Sequence, residues 1–304
     1  MSDKKNVLEA AVRPLQVIED ERLDRAGVSL LIKREDLIHP LVSGNKWHKL
    51  KYNLTAARQQ GYGTLLSFGG AYSNHIHALA AAARAHGFQS VGVIRGEPYE
   101  PLNPTLQFAV EQGMRLHYLN RLAYRRKYEA DILDALRARF GDFYLIPEGG
   151  SNPLGVRGCG DIVTDIDQAF DVLVCACGTG ATLAGLVAGL EGRARALGIA
   201  VLKGAGFLNG EVRRFLAEVG APACDNWSLA LDFHCGGYAK TSPGLLAFMS
   251  DFERRHAIPL DPVYTGKMLY GLFELIGKGE FARGTTIVAI HSGGLQGRSG
   301  FGLQ

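Results

Sequence analysis

One lysine of this sequence stands where a cation is unusual. Lys46 follows Ser43-Gly44-Asn45 at the predicted start of a helix, and the helix dipole disfavours a positive charge at that end. A desolvated lysine amine that forms a Schiff base with a carbonyl group escapes this penalty. The alternative is a solvated lysine whose stem covers the start of the helix. Lys46 on its own does not decide between the two.

A turn of small residues follows a predicted apolar strand at residues 171–177. Its members are Gly178, Thr179, Gly180, Ala181 and Thr182. In such a turn, consecutive backbone N–H groups can converge on a phosphate at the positive end of the next helix. The turn lacks the Gly-Lys-Ser/Thr of a P-loop, and a dinucleotide fingerprint would need glycine at Leu183. A nicotinamide-dependent oxidoreductase therefore fits poorly, and the turn is either a phosphate site or a purely structural feature.

Two further polar clusters follow predicted strands. Ser73 and Asn74 come after Gly69-Gly70, and Ser292 precedes Gly293-Gly294. Ser73 or Asn74 could cap the next helix. In a functional role, Asn74 would donate to a cofactor oxygen and Ser73 would face a substrate carboxylate. The hydroxyl of Ser292 could meet a ring nitrogen, or it could belong to a turn.

These clusters need elements that bring them together. Apolar, strand-like segments are predicted at 28–33, 64–68, 90–94, 114–119, 143–146, 171–177, 199–203, 228–232 and 285–290. Helical segments are predicted between them, at 45–60, 73–86, 106–113, 122–139, 182–196, 244–256 and 267–277. This alternation indicates an α/β fold with mostly parallel sheets covered by helices. Ligands of such sheets bind beyond the carboxyl ends of the strands, where the clusters fall.

The composition argues against several classes of protein. The 304 residues have a net charge of +3, with no long run of Lys or Arg, so no nucleic-acid partner is predicted. No segment has the apolar length of a membrane span, and residues 1–7 are too polar for a signal peptide. The five cysteines form no C-x-x-C pair, which favours free thiols in a reducing cytoplasm. His75 and His77 would lie on different sides of a helix, so no metal site is predicted.

In their order and spacing, the clusters resemble the pyridoxal-phosphate enzymes of the tryptophan-synthase-β-like fold. The resemblance is closest to the branch with 1-aminocyclopropane-1-carboxylate deaminase and D-cysteine desulfhydrase, and it covers nearly the whole chain. The matching segments are Lys33-Arg34-Glu35-Asp36, Ser43-Gly44-Asn45-Lys46, Gly69 to Asn74, Pro147 to Ser151 with Leu154-Gly155, Gly178 to Thr182, Asp261 to Lys267, and His291 to Gly294. Each segment is short, but the ordered set is specific.

The resemblance implies pyridoxal 5'-phosphate as the cofactor and a role for each matching residue. Lys46 would be the Schiff-base lysine, Asn74 would contact the pyridine hydroxyl, and Ser292 would lie near the pyridine nitrogen. The phosphate would be held by Gly178, Thr179, Gly180, Ala181 and Thr182. Ser73, Tyr238 and Tyr264 would face the substrate.

The same resemblance implies a two-domain arrangement. Residues 1–47 with 154–304 would form the larger, cofactor-binding domain, and residues 48–153 would form the smaller one. The cofactor would lie between them. A homodimer is expected by analogy with the family.

The leading hypothesis is a lyase that performs α,β-elimination on a small D-amino acid, with D-cysteine giving pyruvate, ammonia and sulfide. Lys46 would take the α-proton, directly or through Ser73, and Tyr264 would assist the leaving thiol. Members that open the cyclopropane ring usually carry Glu and Leu where this chain has Thr265 and Ser292. That departure disfavours 1-aminocyclopropane-1-carboxylate as the substrate.

Two histidine replacements motivate one of the rival functions, cofactor binding without turnover. The family commonly has arginine where this chain has His48 and His77, so two permanently charged groups are replaced by titratable ones or by a shared structural pair. The rival functions are 1-aminocyclopropane-1-carboxylate deamination, racemisation of a small amino acid, and cofactor binding without turnover.

Overall fold

The computed structural model describes residues 14–221 and 223–303. The strands are β1 (Leu15–Ile18), β2 (Ser29–Lys33), β3 (Thr64–Gly69), β4 (Gln89–Arg95), β5 (Met114–Leu119), β6 (Tyr144–Ile146), β7 (Val172–Cys177), β8 (Arg195–Ala200), β9 (Trp227–Ala230) and β10 (Thr286–Ile290). The N-terminal residues 1–7, for which no signal peptide is predicted, lie outside the described residues.

The helices alternate with these strands along the chain. They are α1 (Glu21–Ala26), α2 (Asn45–Gln59), α3 (Asn74–Ala85), α4 (Pro104–Glu111), α5 (Arg121–Arg125), α6 (Ala130–Phe140), α7 (Pro153–Thr164), α8 (Ala181–Leu190), α9 (Leu208–Glu218), α10 (Pro243–His256) and α11 (Thr265–Gly277). Short 3-10 turns lie at Glu35–Leu37, Glu148–Gly150, Ala205–Phe207 and Leu295–Phe301. In the described part of the chain, no helix is both long and apolar enough to cross a membrane.

The strands form two sheets. A six-stranded sheet has the order β1-β2-β10-β7-β8-β9, and a four-stranded sheet has the order β5-β4-β3-β6. The β1–β2 pair is antiparallel, whereas the other described pairs are parallel. The prediction of an α/β fold with mostly parallel sheets is thus confirmed. The division of the chain at residues 47 and 153 into two domains stays a prediction.

The central strand β7 is buried on both faces, because helices cover the large sheet on each side. Val172 and Val174 point into one core cluster with residues such as Leu269 of α11, and Leu173 and Cys175 point into another that contains α8. This two-residue period is the one that a pleated strand imposes. A strand covered in this way is held rigidly, so the turn that follows it has a fixed position.

Several helix starts follow from a local pattern of a polar cap followed by proline. The cap side chain accepts a hydrogen bond from the N–H three residues later, and proline at the first helical position lacks the donor that would otherwise be unpaired there. The pattern occurs at Asn103-Pro104, Asn152-Pro153 and Ser242-Pro243, with acceptor distances of 2.9, 2.9 and 3.2 Å.

The predicted helix at 122–139 is wrong as a single element. The structure has two helices, α5 and α6, separated by a turn that contains Tyr128. The ring of Tyr128 packs edge-on against Phe68 at 5.4 Å, and its hydroxyl accepts a hydrogen bond from the N–H of Glu148 at 2.9 Å. These contacts with β3 and with the turn after β6 fix the position of Tyr128, and they are tertiary contacts that periodicity does not reveal.

The predicted helix at 182–196 is also too long. Helix α8 ends at Leu190, because Glu191 and Gly192 adopt the left-handed conformation with φ of 49° and 79°. The following residues form strand β8, so the strand predicted at 199–203 begins at Arg195 instead. Helices α1, α7 and α9 and strand β1 were not predicted.

Candidate active site

The ends of strands from both sheets surround a cavity of about 400 Å³. Gly70, Arg95 and Glu148 line it from the four-stranded sheet, and the turn after β7 and Ser292 line it from the six-stranded sheet. The start of α2 completes the wall. The volume lies within the range of sites that bind small molecules.

The structure brings nearly all of the predicted site residues to this cavity. The lining includes Lys46, Ser73, Asn74, Gly178, Thr179, Gly180, Thr182, Tyr238, Tyr264 and Ser292. Ala181 is the exception: it is fully buried at the first position of α8 and does not line the cavity. Its side chain therefore serves packing, and only its backbone N–H could face a ligand.

Lys46 owes its position to a glycine contact. Gly44 caps α2 with φ of 64° and ψ of −148°, a conformation that side-chain-bearing residues rarely adopt. A Cβ atom at Gly44 would lie 1.8 Å from the carbonyl oxygen of Ser292. The start of α2 therefore rests directly on the main chain after β10, and this contact places Lys46 in the cavity.

The environment of Lys46 makes its amine reactive. Burial, and secondly the charge of Lys49, lower its pKa from 10.5 to about 7. A large fraction of the amine is consequently neutral near neutral pH. A neutral amine is the form that attacks an aldehyde, so Lys46 has the property that Schiff-base chemistry requires.

Lys49 is a second cavity lysine that the sequence reasoning missed. It lies one helical turn after Lys46 and is 2% exposed. Its Nζ donates a hydrogen bond to the carbonyl oxygen of Gly149 at 3.2 Å, and burial lowers its pKa. The spacing of three residues places both lysines on one helix face, and this spacing was readable in the sequence.

The glycine-rich turn has the geometry of an anion cradle. Gly180 has φ of 84°, and the first backbone bond of α8 runs from the N–H of Ala184 to the carbonyl of Gly180 at 2.9 Å. The N–H groups of the first helical turn consequently have no earlier carbonyl in the helix to bind. A Cβ atom at Gly178 would lie 3.1 Å from the ring of Tyr264, so a side chain there would crowd that ring.

Two side-chain contacts fix this turn. The Nδ2 of Asn45 donates to the Oγ1 of Thr182 at 2.9 Å, and the hydroxyls of Ser151 and Thr179 are 2.7 Å apart. Asn45 directly precedes Lys46, so the lysine and the cradle are held at a set separation. Such preorganisation lowers the cost of binding one ligand to both groups.

Ser73 and Asn74 begin α3. The Oγ of Ser73 accepts a hydrogen bond from the N–H of Ile76 at 3.3 Å, so Ser73 caps the helix while also lining the cavity. The Oδ1 of Asn74 accepts from the Nε2 of Gln296 at 2.6 Å. This contact orients the amide so that its nitrogen is the remaining donor.

Tyr238 and Tyr264 form a hydrogen-bonded pair. The hydroxyl of Tyr264 donates to that of Tyr238 at 3.4 Å, with the rings edge-to-face at 6.1 Å. Burial raises the pKa of both phenols, that of Tyr264 well above its ordinary value. Asp261 positions Tyr264, because its Oδ1 accepts from the N–H of Tyr264 at 2.8 Å. The pair is therefore protonated, oriented and able to donate a proton.

His48 and His77, which replace the usual arginines, lie outside the cavity lining and have separate contacts. The Nε2 of His48 is 2.7 Å from the Oε2 of Glu35, and both side chains are fully buried. His77 stacks on Phe108 with ring centroids 3.8 Å apart, and burial lowers its pKa to about 4. His77 is therefore neutral at physiological pH, so it does not supply the charge of an arginine.

These residues fit pyridoxal phosphate. The neutral amine of Lys46 suits the aldehyde, and the turn at 178–182 with the nearby ammonium of Lys49 suits the phosphate. The amide nitrogen of Asn74 and the hydroxyl of Ser292 are neutral polar groups of the kind that the ring oxygen and ring nitrogen need. Each part of the cofactor thus has a complementary group in one cavity.

Comparisons with known proteins agree with this geometry. The model of the pyridoxal-phosphate-dependent enzyme family matches residues 8–293 of this chain. A relative from Pyrococcus horikoshii is 32% identical over 286 residues, which cover 91% of this chain and 87% of the relative. The bifunctional D-cysteine desulfhydrase/1-aminocyclopropane-1-carboxylate deaminase of Arabidopsis thaliana is 30% identical, over 89% of this chain and 73% of the relative.

A solved structure is also similar along almost the whole chain. It is described as a homologue of 1-aminocyclopropane-1-carboxylate deaminase, and it superimposes with a TM-score of 0.85. Its sequence is 31% identical, and the match covers 97% of this chain and 93% of that chain. Family, fold and cofactor are therefore confirmed: this chain belongs to the pyridoxal-phosphate-dependent enzymes with the tryptophan-synthase-β-like fold, in the branch of 1-aminocyclopropane-1-carboxylate deaminase and D-cysteine desulfhydrase.

Proposed function

We propose that this protein eliminates the β-substituent of a small D-amino acid, and that it converts D-cysteine to pyruvate, ammonia and sulfide. One observation carries the proposal: Lys46, Ser73 and the Tyr238–Tyr264 pair line the same cavity. An amine that can take a proton and a phenol that can give one are the two groups that an elimination needs.

The chain's own residues would hold the cofactor. The N–H groups of residues 178–182 would bind the phosphate, and Lys49 would balance its charge. Asn74 would donate to the ring hydroxyl, and Ser292 would lie at the ring nitrogen. Pyridoxal phosphate, when bound, supplies an electron sink conjugated to the substrate α-carbon.

Lys46 would act as the base. With its pKa lowered to about 7, the Nζ is able to accept the α-proton and to return a proton later. Ser73 uses its oxygen as an acceptor for the N–H of Ile76, so its hydroxyl hydrogen stays available for the substrate carboxylate or for a proton relay.

Tyr264 would act as the acid. Burial raises the pKa of its phenol, so Tyr264 stays protonated; to act as the acid, its proton would turn from the oxygen of Tyr238 to the departing sulfur. The Cβ–S bond breaks with its electron pair on sulfur, the α-proton is on Lys46, and water hydrolyses the released enamine to pyruvate and ammonia. Atoms and charges balance without a redox partner.

Deamination of 1-aminocyclopropane-1-carboxylate is a second candidate, because the similar proteins carry that name. Thr265, one of the two residues that depart from the pattern of the cyclopropane-opening members, lies away from the cavity lining. Thr265 is fully buried and donates its hydroxyl to the Oδ2 of Asp261 at 2.7 Å, so it does not face the cavity. Of the two residues that depart from the family pattern, Ser292 is the one that lines the cavity and could contact this substrate.

The test is product analysis of the cofactor-loaded protein with D-cysteine, L-cysteine and 1-aminocyclopropane-1-carboxylate. Pyruvate and sulfide from D-cysteine, absent in Lys46→Ala, would support the proposal. Formation of 2-oxobutyrate from 1-aminocyclopropane-1-carboxylate would instead support the second candidate function. Interconversion of the cysteine enantiomers without pyruvate would indicate a racemase, and no product from any of them would indicate a binding protein.

Membership of this family also supports a proposal for the domains, the oligomeric state and the cellular location of the protein. We propose that residues 1–47 with 154–304 form one domain, that residues 48–153 form the other, and that two copies form a homodimer in the cytoplasm. The two sheets support the division, since strands at 64–146 form one sheet and strands at 15–33 and 172–290 form the other. Light scattering of the purified protein tests the dimer.

A further inference from the structure

Arg95 is a cavity residue to which the proposed reaction gives no role. It is the last residue of β4, where it pairs with Leu119 of β5, and its side chain lines the same cavity as Lys46. The residue is exposed at the cavity mouth. Within the described residues, its guanidinium makes no hydrogen bond and no ion pair. An arginine without a partner at the edge of a binding cavity is available to a ligand.

The acidic residue in the cavity wall does not neutralise Arg95. Glu148 has other partners for both of its oxygens: the hydroxyl of Tyr124 donates to Oε1 at 2.9 Å, and the Nζ of Lys127 is 3.2 Å from Oε2. The carboxylate of Glu148 is thus held toward α5 and the turn that follows it. Among the described residues, no carboxylate forms an ion pair with Arg95.

The two lysines of the cavity have roles in the proposed function. In the proposed reaction Lys46 and Lys49 would serve the aldehyde and the phosphate, and the α-carboxylate of the substrate would face Ser73. Arg95 lies within electrostatic range of Tyr238: burial raises the pKa of that phenol, and the charge of Arg95 is among the smaller opposing effects. Tyr238 is bonded to Tyr264, the proposed acid for the leaving group. Arg95 therefore shares the cavity with the residues that would act on the leaving group.

We propose that Arg95 binds an oxyanion on the β-substituent, so that the preferred substrates are β-substituted alanines whose leaving group carries a sulfate, sulfonate or phosphate. Guanidinium is suited to such groups, because its parallel N–H bonds match two oxygens of one anion. This inference rests on the proposed elimination, and it narrows the substrate class. D-Cysteine lacks the oxyanion and would bind more weakly.

The reaction with a sulfate ester of serine balances in the same way as that with cysteine. The α-proton moves to Lys46, the Cβ–O bond breaks with its electron pair on the departing sulfate, and water hydrolyses the released enamine to pyruvate and ammonia. Arg95 would hold the sulfate before and after the bond breaks. No oxidant or reductant is needed.

The test compares two substrates that differ at the leaving group. O-Sulfo-D-serine carries the oxyanion, and β-chloro-D-alanine is uncharged at that end. Charge-assisted hydrogen bonds contribute about 1.5–3 kcal/mol, so we expect Arg95→Gln to raise KM for the sulfate ester by about tenfold to a hundredfold. KM for the chloride should stay within about twofold, and Arg95→Lys should recover part of the loss. Arg115→Gln, in β5 and outside the cavity lining, is the matched control.

Calorimetric titration of the cofactor-loaded protein with O-sulfo-D-serine gives a readout that does not need turnover. We expect the same loss of affinity in Arg95→Gln and no change in Arg115→Gln. If neither substrate yields pyruvate but the affinity difference is present, the proposed elimination fails and the role of Arg95 holds. Equal effects of Arg95→Gln on both substrates, or no binding of the sulfate ester to the unaltered protein, would overturn the role of Arg95.

Discussion

The Nζ of Lys267 donates a hydrogen bond of 2.7 Å to the carbonyl oxygen of Gly237. Lys267 is completely buried, and Gly237 directly precedes Tyr238 in the chain. Gly236 and Gly237 have φ of 92° and 126°, a stretch of backbone that has little conformational restraint of its own. The buried ammonium therefore supplies the restraint that orients Tyr238.

The first prediction concerns this contact. In Lys267→Met the carbonyl of Gly237 loses its donor, which should lower the free energy of unfolding by about 1–3 kcal/mol. The turnover number should fall while the visible absorbance of the bound cofactor stays unchanged, because Tyr238 is released and Lys46 is not. Urea denaturation, steady-state kinetics and an absorbance spectrum measure the three quantities. Lys278→Met, at an exposed position, serves as the control, and a loss of cofactor absorbance in Lys267→Met would contradict the assignment.

The second prediction concerns pH. A neutral amine is needed for cofactor uptake, and the neutral fraction of Lys46 rises as pH rises through its pKa of about 7. The rate at which apoprotein binds pyridoxal phosphate should therefore increase from pH 6 to about pH 8 and then level off, rather than rise toward the usual lysine value of 10.5.

A second variant tests the contribution of Lys49 to this pH profile. The charge of Lys49 is one cause of the lowered pKa of Lys46, so Lys49→Met should shift the profile to higher pH. Stopped-flow absorbance records the uptake at each pH. A profile that does not move in Lys49→Met would show that burial alone sets the reactivity of Lys46.

The third prediction concerns Gly44. An alanine there would have an unfavourable positive φ and a Cβ atom 1.8 Å from the carbonyl oxygen of Ser292. The start of α2 must then move away, so we expect weaker cofactor binding. The loss of stability should also exceed the roughly 1–3 kcal/mol that backbone strain alone would cost.

Gly61 is the matched control for this change. It has φ of 79°, and a Cβ atom at that position would meet nothing within 4 Å. Gly61→Ala therefore imposes strain without a clash. It should lower stability without changing the affinity for the cofactor, as measured by equilibrium absorbance titration. Equal affinities in the two variants would rule out the contact with Ser292 as the device that places Lys46.

The fourth prediction separates the two histidines. His48→Ala removes a partner of the fully buried Glu35, and loss of one member of a buried pair costs about 3–5 kcal/mol. His77 is neutral and stacked, so His77→Ala should cost only about the 0.5–1.5 kcal/mol of an aromatic contact in addition to its lost burial. Chemical denaturation of both variants gives the comparison. A smaller loss for His48→Ala than for His77→Ala would contradict this account.

The sequence was sufficient to predict the alternation of strands and helices, because buried parallel strands appear as short apolar runs. It also located the polar clusters, since the residues after such strands meet at one edge. The cradle at 178–182 and Lys46 could be found in this way. Helix α7 could not, because its glycines at 155, 158 and 160 reduce helical propensity, and Gly158 is explained only by the carbonyl of His48, 2.0 Å from where its Cβ would be.

Several site residues depend on the tertiary structure. In the sequence, Arg95 is an ordinary polar residue at the end of a strand. Its position beside the cavity depends on how β4 is arranged in the small sheet. In the sequence, Lys267 is an ordinary lysine of a predicted helix. Its acceptor, the carbonyl oxygen of Gly237, belongs to a distant segment that only the fold brings to it. Helix α9 is different: its buried Leu208, Val212, Phe215 and Leu216 have helical spacing, so that signal was present and was overlooked.

Helix α2 spans both halves of the molecule. Its first residues rest on the main chain of Ser292 beside the large sheet, whereas Leu50, Leu54 and Ala57 pack in the core of the small sheet. The start of α2 with Lys46 is thus held against the large sheet, whereas Arg95 lies at the end of β4 in the small sheet. Substitutions at the rim of the cavity can consequently alter which amino acids are accepted while the reacting amine keeps its place. Members of this fold can therefore change their substrate preference by substitutions at the cavity rim and retain the reactive lysine.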